Sequence, residues 1–270
     1  MINPLRRTYE QLSIHRGEIM EKLEINPLTL DLSILEKFKF KKKPVGIKFL
    51  YNKPEGIKKL EKHMGVCEMI GEAQNSRESF YMSEKEEDCF GAVTLGMRNS
   101  PPFAEAGLVG KALGIFKEPR ANSRLYNNIP KIHPGVVNYV LFAPLEKITF
   151  DPDLLIILAD VNQGEILFRA IDYSTGSLRE SKTTGVFGCS WIITYPYQSG
   201  KINYMVTGLG YGAKAKEVFP GGMLLISIPF DYIPTLANNL EEIEWELPAY
   251  KMGVKKFKEY ERQVLGDLEK

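Results

Sequence analysis

The longest apolar runs in this 270-residue chain are short: Leu154 to Ala159 (LLIILA) and Met223 to Pro229 (MLLISIP, broken only by Ser227). Runs of that length, rich in Leu and Ile and flanked by Pro, Asp and Gly, read as strands. They fall far short of the ~20 apolar residues that a bilayer-spanning helix needs. Stretches of helical periodicity lie between such runs, joined by connections of moderate length. This alternation predicts an α/β (or α+β) fold, a mixed sheet with helices on both faces, and helices appended at both ends.

Residues 5–24 read as an amphipathic helix with Leu5, Tyr9, Leu12, Ile19 and Leu23 on one side. Strands are expected over 44–51, 79–82, 136–142, 154–159, 202–207 and 223–228. Helices are expected from Pro54 to Leu60 and over 64–74, 103–116, 163–173 (with Asn162 as N-cap), 233–240 and 249–268. The chain divides into a helical extension (1–38), an α/β core (39–245) and a C-terminal helix (246–270). Whether the core is one domain or two packed halves stays open, as does self-association.

Charge excludes some partners. Lys plus Arg is 35 and Asp plus Glu is 34, a net charge of +1. Nothing there draws nucleic acid or an anionic membrane. The N-terminus lacks the apolar segment of a secretory signal, and three cysteines is an odd count. Together these favour a reducing, cytoplasmic setting with free or metal-bound thiols.

The cysteines are the main candidates for chemistry. Cys67 follows His63-Met64-Gly65-Val66, Cys89 follows an acidic run and precedes Phe90-Gly91, and Cys189 follows Gly188. No pair has C-x-x-C spacing, so there is no local metal motif. Three readings stand side by side. The thiols are small core hydrophobes; or they converge as ligands of a [4Fe–4S] cluster or another thiolate-bound metal, leaving a position open for redox work or a substrate; or Cys67 is a reactive thiol paired with His63, four residues away on one helical face. Gly91 and Gly188, beside cysteines, would let backbone approach a bulky group.

A second candidate is the turn Gly208-Leu209-Gly210-Tyr211-Gly212-Ala213, which follows a strand and matches G-x-G-x-x-A, with Asp231 18 residues on. A nucleotide is not expected there, because Pro220 stops the following helix too early for a Rossmann crossover. A tight turn facing an anion or a cluster fits better. With Arg98, Gly208, Gly210 and Gly212 would then form a metal-free module for an anionic small molecule.

Several blocks carry a resemblance in their order: Pro44 to Leu50 (PVGIKFL), a first cysteine in a helix, Cys89 to Gly96 (CFGAVTLG), Pro152 to Leu158 (PDLLIIL) before a helix, Gly188-Cys189, and Gly208 to Lys214 (GLGYGAK) before Gly222 to Pro229 (GMLLISIP). In this order they resemble the archaeal and bacterial domain-of-unknown-function family 169, over roughly 40–245. The resemblance implies a cytosolic prokaryotic protein, archaeal in origin, and no particular activity. It draws attention to the cysteines, since each lies inside a matched block.

Overall fold

The computed structural model describes residues 25–269, so the amphipathic helix expected over 5–24 lies outside the described residues. Seven strands form one sheet: β1 (Val45–Leu50), β2 (Lys58–Lys59), β3 (Phe80–Ser83), β4 (Tyr139–Pro144), β5 (Leu154–Ala159), β6 (Asn203–Val206) and β7 (Leu224–Pro229). Their order across the sheet is β2-β3-β4-β1-β5-β7-β6. The sheet is mixed, but only the two-residue edge strand β2 pairs in parallel; all other neighbours are antiparallel.

The helices are α1 (Val66–Ser76), α2 (Gly91–Thr94), α3 (Pro102–Glu105), α4 (Leu108–Ala112), α5 (Pro119–Asn128), α6 (Val161–Asp172), α7 (Tyr195–Ser199), α8 (Tyr211–Ala215), α9 (Ile233–Glu242) and α10 (Gly253–Leu268). A π-helical turn, Ser190–Thr194, leads into α7.

The uninterrupted apolar run of β5 has a direct cause. All six residues are buried, because β5 lies between β1 and β7 and both sheet faces are covered. Leu155, Ile157 and Ala159 face a core with Leu167, Ala170 and Ile171 of α6 and Leu236 and Leu240 of α9. Leu154, Ile156 and Leu158 face the opposite core, with Met69, Ile70 and Ala73 of α1 and with Ile192 and Ile193 of the π turn. Each fully buried Leu or Ile contributes about 1.5–3 kcal/mol, so a polar residue on either face would be costly. Such runs are typical of parallel sheets; here an antiparallel sheet shows one because helices cover both sides.

Four local expectations are corrected. No helix follows Pro54; Lys58 and Lys59 instead pair with Phe80 and Tyr81. The helix expected over 103–116 is two short ones, α3 and α4, broken at Gly107 (φ +75°). A Cβ there would lie 2.0 Å from the Pro119 carbonyl oxygen, so close approach to α5 fixes the break. The helix α5 itself was not expected, although Pro119 at its first turn is a standard start signal. The cap of α6 is Asp160, not Asn162: its carboxylate accepts the Gln163 N–H at 2.9 Å, and Gln163 Oε1 accepts the Asp160 N–H.

Candidate functional site

The α1 helix carries Cys67 as its second residue. It starts at Val66 rather than Met64, because Glu68 Oε2 reaches back to accept the Gly65 N–H at 2.8 Å and closes the N-terminus. Residue 63 is therefore not helical. His63 is exposed, lies outside the cavity described below, and does not share a helical face with Cys67.

Cys89 comes next to Cys67 by backbone pairing. Met64 bridges Glu87, with the Met64 N–H donating to the Glu86 carbonyl at 3.0 Å. Gly65 then sits against Cys89, so close that a Cβ at 65 would be 3.2 Å from the Cys89 Cβ. The loop carrying Cys89 is organised by Glu87, which nothing in the acidic run Glu84 to Asp88 singles out. Its carboxylate accepts the N–H groups of Cys89 (3.1 Å), Gly91 (3.1 Å) and Ala92 (3.0 Å). Burial pushes this carboxyl above its ordinary value, against the lowering effect of those three bonds.

Gly91 makes the arrangement possible. A Cβ there would lie 2.4 Å from Val66 Cγ2 and 2.6 Å from Glu87 Oε1, and both are held in place. Gly91→Ala is therefore expected to lower stability by about 1–3 kcal/mol by overpacking. Chemical denaturation measures this, and an unchanged midpoint would contradict it.

Cys189 arrives from the other end of the sheet, immediately before the π turn. Such turns are rare and concentrate at functional sites. The Trp191 carbonyl of this turn is taken by Asn203 Nδ2 at 2.7 Å. Thr94 Oγ1 lies 3.7 Å from Cys189 Sγ. The preceding Gly188 packs against the Cα of Gly210.

The result is one cavity of about 270 Å³ lined by all three cysteines. Gly91, Gly188, Gly210 and Gly212 line it as well; Gly208, Arg98 and His63 do not. Arg98 is engaged elsewhere: Nε donates to Glu84 Oε1 at 2.9 Å and Nη2 to the Glu87 carbonyl at 3.1 Å. The remaining wall is almost wholly apolar, with Phe90, Leu113, Phe116, Phe187 and Phe219 among its members. The cavity keeps Cys89 exposed and Cys67 and Cys189 half-buried, but their surroundings are apolar protein. Burial pushes Cys67 up to about 11, with the Cys89 charge adding to it. It pushes Cys189 up to about 12, helped by the charges of Cys89, Cys67 and Glu87. Cys89 is raised too, again first by burial. A helix N-terminus ordinarily lowers a thiol; at Cys67 desolvation wins. Among the described residues, no three His, Cys, Asp or Glu side chains are grouped closely enough to hold a single metal ion.

The 208–213 turn does not build a nucleotide site. β6 and β7, which flank it, are antiparallel, whereas the dinucleotide fingerprint needs parallel strands. The helix after the turn, α8, has five residues.

No helix among the described residues is long and apolar enough to cross a membrane. In comparisons with known proteins, the chain is 28% identical over 170 residues to the "Uncharacterized protein MJ0308" of Methanocaldococcus jannaschii, covering 61% of this chain and 72% of that one. No solved structure matches it significantly. The model of family DUF169, described as "Uncharacterised ArCR", matches residues 33–239, and the chain belongs to that family.

Proposed function

We propose that the cavity holds a [4Fe–4S] cluster ligated by Cys67, Cys89 and Cys189, with the fourth iron open to a substrate or to redox work. The observation that carries this reading is the convergence of three thiols from three separate segments on one cavity. A cluster spreads its protein sulfurs over three different irons, so it asks for a wider triangle than a single ion does.

Electrostatics support the same reading. Three desolvated thiols lining one cavity resist ionisation, and a cationic metal core would turn such a set into thiolates. Lys216, which pairs with Glu68 at 2.5 Å, adds positive potential at Cys67 and Cys89. The glycines in the wall leave backbone facing the cavity with no Cβ in between. When bound, the cluster would supply a Lewis-acidic or redox-active iron. The chain's own residues hold the thiols, exclude water and shape the approach.

The test is the visible spectrum of the protein purified without oxygen, compared with Cys67→Ser, Cys89→Ser and Cys189→Ser. The wild type is expected to be brown and each variant to lose most of that absorbance. A wild type as colourless as the variants would overturn the proposal.

A further inference from the structure

The cavity extends well past the thiols, under a cover made by α3, α4 and α5. The polar groups in its wall are nearly all engaged. The Glu87 carboxylate is held by three N–H groups. The Tyr126 hydroxyl pairs with Ser100 Oγ at 2.9 Å. The Thr207 hydroxyl donates to the Pro220 carbonyl at 2.8 Å. Unlike the exposed Tyr211, Asn122 is a buried exception. It is 3% exposed and lines the cavity from α5. Its Oδ1 accepts the Gly110 N–H at 2.8 Å, which fixes which way round the amide sits. Its NH2 group makes no hydrogen bond among the described residues. An amide donor left open to a cavity can be met by water or by a ligand's acceptor.

No Lys, Arg or His lines the cavity, so in the iron-free protein a charged ligand would be desolvated without compensation. The volume, about 270 Å³, is below the ~300–1,000 Å³ of sites for drug-sized molecules. We propose that the cavity binds a small uncharged molecule with an apolar body and one hydrogen-bond acceptor, the acceptor on the Asn122 NH2 and the body against Leu113 and Phe116. This names the substrate class for the space beside the proposed cluster and in that sense rests on that reading. Its walls, however, do not require iron.

The experiment uses three probes of similar shape: acetophenone, which has an acceptor; ethylbenzene, which has none; and benzoate, which is charged. Binding is measured by ligand-observed NMR on the full chain purified without oxygen and on the same preparation after iron removal. Acetophenone is expected to bind about tenfold tighter than ethylbenzene, with benzoate weakest. Asn122→Ala is expected to keep ethylbenzene binding and to erase the acetophenone preference. Should that variant fail to fold, the wild-type series decides alone. No preference for acetophenone, strongest binding by benzoate, or no binding at all would each overturn the inference. The two readings fail separately: an iron-free protein that still selects acetophenone sinks only the cluster, and an iron-loaded one that does not sinks only the ligand class.

Discussion

In iron-free protein, Cys67 and Cys189 are expected to resist alkylation at pH 7 and to react only in strongly alkaline solution. The thiolate is the nucleophile. Each unit by which a thiol lies above its ordinary 9.0 removes about nine-tenths of the thiolate present at lower pH. With Cys67 pushed up to about 11, it should react about 100-fold more slowly than an ordinary thiol at neutral pH. With Cys189 pushed up to about 12, the factor is about 1,000. Stability follows with a definite sign. The folded chain keeps these protons where the unfolded chain sheds them. The stabilisation is therefore complete below pH 9 and is lost as pH rises through about 11–12. Iodoacetamide labelling across pH, read by peptide mass spectrometry, measures both sites. A residue 67 alkylated at pH 7 at the rate of free cysteine would contradict this account. It would also revive a reactive Cys67, which the exposed His63 outside the cavity gives no help to explain.

The second large effect concerns the frame rather than the cavity. Lys48, 4% exposed in β1, places Nζ 3.0 Å from Asp153 Oδ1, while Asp153 Oδ2 accepts the Phe49 N–H at 2.7 Å. The Asp153 backbone joins the same crossing: its N–H donates to the Ile47 carbonyl and its carbonyl accepts the Phe230 N–H. Tyr197, packed on Phe49, has its phenol pushed up by burial and then by the Asp153 charge. Lys48→Met would remove the Nζ–Oδ1 ion pair from this buried crossing, at a cost of about 3–5 kcal/mol. Replacing both residues by apolar ones should recover much of the loss, because the pair's own desolvation cost disappears with it. Urea denaturation of the single and double variants checks this. A Lys48→Met variant within 1 kcal/mol of wild type would show that the pair contributes little.

What was legible in the sequence follows from where the signal is local. Strand β5 was placed residue for residue, since six consecutive apolar side chains have few other uses. Strands β1 and β7 were placed to within a residue or so. The antiparallel order was not legible, because a continuous run reports burial on both faces and says nothing about the direction of the neighbour. The Pro54 helix failed because a proline at a first-turn position opens turns as readily as helices, and here the segment is recruited by β3. The three cysteines could be named from the sequence, but their convergence depends on contacts such as Met64 with Glu87 and Gly188 with Gly210, which are long in space or distant along the chain. Glu87 and Asn122 were invisible for a related reason. One sits in an acidic run that reads as solvated, the other in a polar helix, and only burial distinguishes them from their neighbours.

The decisive quantity is the iron and acid-labile sulfide bound to the full-length chain after isolation under strict exclusion of oxygen. The account predicts about four of each per chain. Stoichiometries near zero for both, in protein that is folded and has all three thiols reduced, would contradict it.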